Sequence, residues 1–355
     1  MGKVIEKREK RGQAKKMIAF LLFPLFLWGI TSAKNPVTLE QLINPNKIAV
    51  KNHQIYIADF PHIYIFSLKD FSLLKKIGKK GAGPGEFLPR SSKDRFYIYI
   101  LDDAIFVESN GRVSFFTLKG DFLKEFNVAA SGYKFQPCQN GFLGKKKIAE
   151  KQTIYGTLNL YDSNFKRLKE VYRVKYPIQP GRDILVFNPD DFRYYTGENH
   201  LYIRDTKNFA VKIYNKNFQP VSILERNNYT LRKILPDDIK KMHLVFKVSL
   251  KERYEELKHR LKFPDTFAAI RNIIIDNDKL YIITFKKQVK GVECFIYTPE
   301  GAFVRELHIP LISENILQYY PYTICKGILY QLIENEETEN WELHIFKTRG
   351  QTKKK

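Results

Sequence analysis

The sequence predicts an all-β fold, a six-bladed β-propeller, and three observations carry that prediction. Phe and Tyr are in surplus, 27 and 21 against 3 Met and 2 Trp, and aromatic side chains suit the pleated, half-buried surface of a sheet. An apolar–aromatic pair then recurs six times, always after a candidate strand and before a turn: Ile65-Phe66, Phe115-Phe116, Leu160-Tyr161, Ile213-Tyr214, Ile296-Tyr297 and Ile345-Phe346. The aromatic members stand 50, 45, 53, 83 and 49 residues apart, and four of these intervals fit the roughly 40–50 residues of a four-stranded blade. The turns behind the pairs share hairpin chemistry, as in Lys119-Gly120-Asp121, Asp162-Ser163-Asn164, Asn215-Lys216-Asn217 and Pro299-Glu300-Gly301; Gly and Asn there are free to take a positive φ. A plain β-sandwich alternates in the same way but has no reason to hold the period.

Residues 1–33 come first in chain order. Lys3, Lys7, Arg8, Lys10, Arg11, Lys15 and Lys16 outweigh Glu6 and Glu9, Met17–Ile30 carries no charge, and Thr31-Ser32-Ala33 follows. A basic segment, an apolar core and a small-residue end make a secretory signal, cleaved after Ala33. The alternative is an uncleaved membrane anchor: the uncharged stretch to Ala33 is 17 residues long, the lower edge of the ~17–25 that span a bilayer. On both readings the body is exported, to the periplasm or beyond. Residues 34–350 are expected to form one propeller, with 351–355 as a basic tail.

Blade one has its inner strand at Lys47–Val50, a partner at Ile55–Asp59, then Ile63–Phe66 and an outer strand at Ser72–Ile77. The run Ile77–Phe87, with Gly78, Gly81, Gly83, Pro84 and Gly85, reads as the crossover to blade two. A phosphate-binding loop would instead end in Gly-Lys-Ser/Thr and open a helix. Blade two repeats the pattern through Ala104–Val107 and Phe122–Val128, and blade three is the weakest, because Gly141-Phe142-Leu143-Gly144 is a poor strand. Blade four continues through His200–Asp205 and Pro220–Leu224. The long interval of 83 then holds an insertion at about 227–263. Apolar spacing changes there to a helical period, so two helices, about 236–247 and 250–262, are expected before blade five. Ser249 with Glu252 resembles a capping box for the second, and Pro264 ends it. Blade five follows with Asn272–Asp276, Lys279–Ile283 and Ala302–Ile309. After Ile345-Phe346 no apolar segment is left for an outer strand, so Val37–Ile43 is expected to pair with Trp341–Phe346 and close the ring.

The run Ile77–Phe87 resembles the GxxGxGPGEF signature of exported bacterial six-bladed β-propellers, an NHL-repeat-like family within the TolB-like propeller superfamily. Tyr56-Ile57-Ala58-Asp59 followed by Ile63-Tyr64-Ile65-Phe66 looks like one NHL-type repeat. The resemblance covers about residues 37–350. It is specific in blade one and degenerate elsewhere: Glu108 stands near the place of the Asp in blade two, and blade three departs most. It implies an architecture rather than a chemistry.

Composition narrows the function by exclusion. Without residues 1–33, 53 Lys+Arg stand against 36 Asp+Glu, a net +17, yet the bases are spread along the chain and export parts the protein from cytoplasmic nucleic acid. Cys138, Cys294 and Cys325 form neither a disulfide framework nor a CxxC zinc site. The seven His show no HxH or HExxH spacing, and no GxSxG elbow occurs. No cofactor is expected. A monomeric binding module for a protein, peptide or small ligand is the favoured reading, with contact to a membrane only through residues 1–33 if these stay attached. The candidate contacts are Asp59 and His62 in the blade-one loop, Lys80, Glu86 and Arg90 beside the crossover, and Arg271 ahead of the inner strand of blade five; each could equally be a solvated charge or a turn cap. The alternative is a metal-dependent lactonase- or lyase-like enzyme centred on the channel. It needs ligating groups on several inner strands, where Asn52 and Asp276 are found beside the aromatic Tyr194-Tyr195 and Tyr322.

Overall fold

The recurring pairs mark one structural event. In the computed structural model, which describes residues 35–87, 97–151, 153–176, 184–186, 192–204 and 208–348, the pairing of third with outer strand slips by one residue at Ile65/Phe66, Phe115/Phe116, Leu160/Tyr161, Ile213/Tyr214 and Ile296/Tyr297. Such a β-bulge sharpens the twist and swings the outer strand away. The aromatic member faces an apolar residue of the second strand, as in Ile55↔Phe66, Ile105↔Phe116 and Leu280↔Tyr297.

Each blade is a four-stranded antiparallel sheet. Strand β1 (Val37–Leu39) precedes blade one, β2–β5 (Lys47–Lys51, Gln54–Asp59, His62–Ser67, Leu73–Ile77). Blade two is β6–β9 (Tyr97–Ile100, Ala104–Ser109, Arg112–Thr117, Phe122–Asn127), and blade three is β10–β13 (Tyr133–Cys138, Gly141–Glu150, Thr153–Tyr161, Arg167–Tyr176). A short β14 (Ile184–Leu185) leads to blade four, β15–β18 (Arg193–Thr196, His200–Arg204, Ala210–Asn215, Pro220–Glu225). Helix α1 (Pro236–Leu250) and β19 (Leu261–Lys262) form the insertion, ahead of blade five, β20–β23 (Ile270–Asp276, Lys279–Gln288, Gly291–Tyr297, Phe303–Ile309). Blade six is β24–β26 (Tyr322–Cys325, Ile328–Glu334, Trp341–Lys347), completed by β1.

Inner strands touch in a closed cycle, β2 to β6, β10, β15, β20, β24 and back to β2. The apolar core lies between adjacent blades. Tyr56, Ile65, Phe87, Ile98 and Phe116 fill the gap between blades one and two, and Leu39, Ile48, Phe66, Trp341 and Leu343 fill that between six and one. Sheets covered on both faces need near-continuous apolar strands, which the buried runs Ile55–Asp59 and Ala104–Ser109 supply.

The ring closes as the sequence predicts. Val37, Thr38 and Leu39 pair antiparallel with Leu343, Glu342 and Trp341. The strand is shorter than Val37–Ile43 because the chain must turn back toward the inner strand: Leu42 N donates to Leu39 O at 3.2 Å, and Trp341 Nε1 donates to Ile43 O at 3.3 Å.

Two expectations are corrected. Blade three is not weak: β11 runs over Gly141–Glu150 and pairs with β12 along its length. Gly144 is there for closeness, since a Cβ at that position would stand 2.5 Å from the Phe135 ring. The insertion holds one helix, not two. Ser249 lies inside α1, and the helix ends at Lys251, whose φ of 52° cannot continue it. Residues 251–260 follow as single turns of alternating 3₁₀ and α geometry. At the other end Asp237 and Asp238 open α1, with Asp238 accepting from Leu235 N at 3.0 Å.

Candidate functional site

Because each blade is antiparallel, its outer strand ends, and its second strand gives way to its third, at the end of the ring where the inner strands begin, here called the crossover face. The insertion sits on it. β19 pairs parallel with β14, and Met242, Tyr254 and Leu261 pack with Val186, Ile316 and Leu317. These come from the crossovers on either side, so α1 lies across three consecutive connections.

Beneath this face each blade carries a buried polar residue that clasps a crossover, through backbone groups in five blades and through the Tyr229 side chain in blade five. Asp59, 2% exposed, accepts from Ile43 N at 2.5 Å and Asn44 N at 2.8 Å. Glu108 accepts from Lys134 N and Phe135 N at 2.7 and 2.6 Å, and Lys145 Nζ donates to Phe192 O at 2.8 Å. Arg204 Nη1 donates to Ile270 O and Arg271 O at 2.7 and 2.8 Å. In blade five Glu293 accepts from Thr284 Oγ1 at 2.9 Å and from the Tyr229 hydroxyl at 2.7 Å. In blade six the Gln331 amide donates to Ile312 O at 2.8 Å and accepts from Ile312 N at 3.0 Å. Where the partner is backbone, acids meet N–H groups, bases meet carbonyls and the amide meets both, as burial requires. Burial drives the Glu108 carboxyl up to about 7, against the pull of its two N–H donors and Lys134.

Three of the six sequence-predicted candidates have a structural role, one of them through this device. Asp59 is a clasp. His62 donates from Nδ1 to Gly78 O at 2.8 Å and meets Tyr64 edge-on, and burial, with Lys76 nearby, lowers its pKa. Glu86 closes the Gly-rich loop: it accepts from Gly83 N at 2.9 Å and pairs with Lys79 at 2.8 Å, which holds its carboxyl below the usual range. Arg112 staples the loop to blade two by donating to Ala82 O and Glu86 O at 3.0 and 2.9 Å. Phe87 plugs the gap between blades, and Lys80 stays exposed beside it. Arg90 lies outside the described residues.

The channel axis is aromatic and amide, not ligating. The Tyr195 hydroxyl donates to Asn272 Oδ1 at 3.3 Å, and Asn272 Nδ2 donates to the Tyr322 hydroxyl at 2.9 Å, which links blades four, five and six. Burial keeps the Tyr99 and Tyr322 hydroxyls protonated far above neutrality. Asp276 is occupied by Lys326 N and Gly327 N, each at 2.8 Å, while Asn52 sits in the β2–β3 turn with a φ of 49°. Tyr194 turns away and donates to Leu143 O at 2.9 Å. Among the described residues no three of His, Cys, Asp and Glu come together as a metal site, and no helix is long and apolar enough to cross a membrane.

Arg271 is the exception among the candidates. It falls on a bulge, since Ile270 pairs with Thr284 and Asn272 with Ile283, and its guanidinium lies 3.7 Å from the Tyr319 ring centre and 4.9 Å from that of Phe285.

The architecture recurs in solved structures. A Bacteroides fragilis protein whose name proposes export is 13% identical, with a TM-score of 0.51 over 90% of this chain and 95% of that one. A DUF4221-family protein from Bacteroides vulgatus is 12% identical, with a TM-score of 0.46 over 89% and 96%. At 13% identity the likeness to the first of these carries the fold alone. No protein-family model matches the chain, and no curated protein matches it.

Proposed function

We infer that the protein is an exported, non-catalytic binding propeller that takes its ligand on the crossover face, beside the insertion. The observation that carries this reading is the insertion, the one large departure from the repeat among the described residues, which packs across three consecutive crossovers. Beneath it, on the inner strands of blades four to six, Asn272 takes up the hydroxyls of Tyr195 and Tyr322. Binding residues gather on loops held by a rigid frame, and the clasps make such a frame. Export rests on the composition of residues 1–33, in agreement with the name of the Bacteroides fragilis neighbour, and the NHL-like runs in blade one point to the same class of propeller.

The test is metal content. Protein beginning at Lys34 is equilibrated with Ca²⁺, Mn²⁺ and Zn²⁺, desalted and assayed, and no stoichiometric metal is expected. One metal ion per chain, lost in Asn272→Ala, would overturn the binding reading in favour of a channel-centred enzyme. Mass spectrometry of native material checks export separately, with Lys34 expected as the first residue; an intact Met1 in the membrane fraction refutes cleavage.

A further inference from the structure

We propose that Arg271 is the centre of an oxyanion site, for a carboxylate or phosphate group carried by the ligand, at the edge of the insertion. The site rests on the binding reading above and names the chemistry that the face recognises.

Four observations converge on it. The bulge in β20 takes Arg271 out of the ladder, and bulges re-aim side chains at functional places. The buried Arg204 fixes that bulge by holding the carbonyls of both Ile270 and Arg271, so the backbone is committed to this direction. The guanidinium is framed by the rings of Tyr319 and Phe285 and donates to the Tyr319 hydroxyl, while its Nη2 is shut off from solvent with no hydrogen-bond partner. Finally, the charged neighbour of Arg271 is a second cation. Arg232 lies over Phe267 at 4.3 Å, Phe267 stacks on Phe285 at 5.0 Å, and Arg232 is already neutralised by Asp238 at 2.7 Å. Each end of this stacked pair thus carries a guanidinium, and one of the two lacks an acid.

A half-buried cation without a counter-charge loses hydration, and ring faces recover only part of it. A planar fork with a spare N–H suits the two oxygens of a carboxylate or phosphate. The hydroxyls of Tyr319 and Tyr322 are close by, with the two rings edge to face at 5.9 Å, and remain donors because burial keeps them protonated. Arg271 is therefore the anchor, the rings are the walls and the phenols are further donors.

Melting of metal-free protein in dilute buffer tests this, with sodium acetate or sodium phosphate compared against sodium chloride at equal ionic strength. A saturable rise in melting temperature with acetate, phosphate or both is expected, and the stronger of the two identifies the class. Arg271→Met should abolish the rise and should melt no lower than the parent without oxyanion, because an uncompensated charge has been replaced by a side chain of similar reach. Equilibrium dialysis of radiolabelled acetate and phosphate gives the second measurement, and Arg271→Lys, which keeps the charge and loses the fork, should bind at least tenfold more weakly. An equal response to chloride, an anion response that survives in Arg271→Met, or undiminished binding in Arg271→Lys overturns the site. A lower melting temperature for Arg271→Met in oxyanion-free buffer also overturns it, by showing the cation to be structural. None of these outcomes touches the metal measurement, so the anion site and the binding reading can fail separately.

Discussion

Removing the first strand should unfasten the ring. A chain beginning at Asn46 lacks β1 and the turn after it, and with them Leu39 and Leu42, which are 3% and 1% exposed. Burying a leucine side chain is worth ~1.5–3 kcal/mol, so these two contribute about 3–6 kcal/mol. Asp59 would lose the N–H groups of Ile43 and Asn44, and a buried acceptor stripped of its partners costs a further ~1–3 kcal/mol. Trp341 would also lose its bond to Ile43 O and face water along an open strand edge. Even without full additivity, about 5 kcal/mol is a large share of the ~5–15 kcal/mol that holds a domain folded. At ~2–4 °C per kcal/mol for a large domain, melting followed by circular dichroism should fall by about 10 °C or more. Removing residues 351–355 should leave it unchanged, and Leu42→Ala should reproduce part of the loss, ~2–5 kcal/mol, with β1 intact. A chain from Asn46 that melts within about 2 °C of the parent would falsify the closure argument.

Three further outcomes follow from the packing and the clasps. The Glu108 carboxyl titrates at about 7 in the fold against 4.5 as its ordinary value, so its contribution is full below pH 4.5 and is lost as pH rises through 7; at ~1.4 kcal/mol per unit, urea unfolding should show stability falling by up to about 3 kcal/mol across that window, and Glu108→Gln should flatten the fall. Gly144→Ala drives a Cβ to within 2.5 Å of Phe135 and should cost ~1–3 kcal/mol by the same measurement; an unchanged unfolding midpoint would show that the rings give way freely. Replacing Asn228 to Lys262 by a short glycine linker should keep the β-sheet circular dichroism while lowering the melting temperature, because Ile316 and Leu317 lose the cover of Met242 and Tyr254. Loss of the β signal would place the insertion inside the frame rather than upon it.

The clasps explain why the blades can differ so much in sequence and still share one geometry. The crossover backbone must be satisfied wherever it is buried, but the donor or acceptor can be a carboxylate, an ammonium, a guanidinium or an amide. Asp59, Lys145, Arg204 and Gln331 thus occupy comparable places though they are acidic, basic or neutral. A search for a repeated acid along the chain therefore finds blades one and two and misses blades three, four and six.

Periodicity is a local property, and the sequence by itself determined what is periodic. The pair Ile65-Phe66 and its five successors set the blade count because an apolar cross-strand partner, with a bulge and a hairpin turn at the first five, is a short-range demand on residue type. The apolar residues Val37 and Leu39 likewise marked the segment that pairs with Leu343 and Trp341 in blade six. The single helix was less legible, since Leu250, Tyr254, Leu257 and Leu261 keep a helical period whether or not the backbone is continuous, and only packing against Val186 and Leu317 decided where it breaks. The candidate site divided along the same line. Asp59, Glu86 and Arg271 look alike in sequence, as charged residues beside turns. Tertiary structure alone decided that Asp59 meets two amides from a segment 15 and 16 residues away, that Glu86 closes its own loop, and that Arg271 lies between two rings without an acid. Charge is written in the residue, but its partner is brought by the closing of the ring, and it is the partner that separates a structural clasp from a site with a bond still to make.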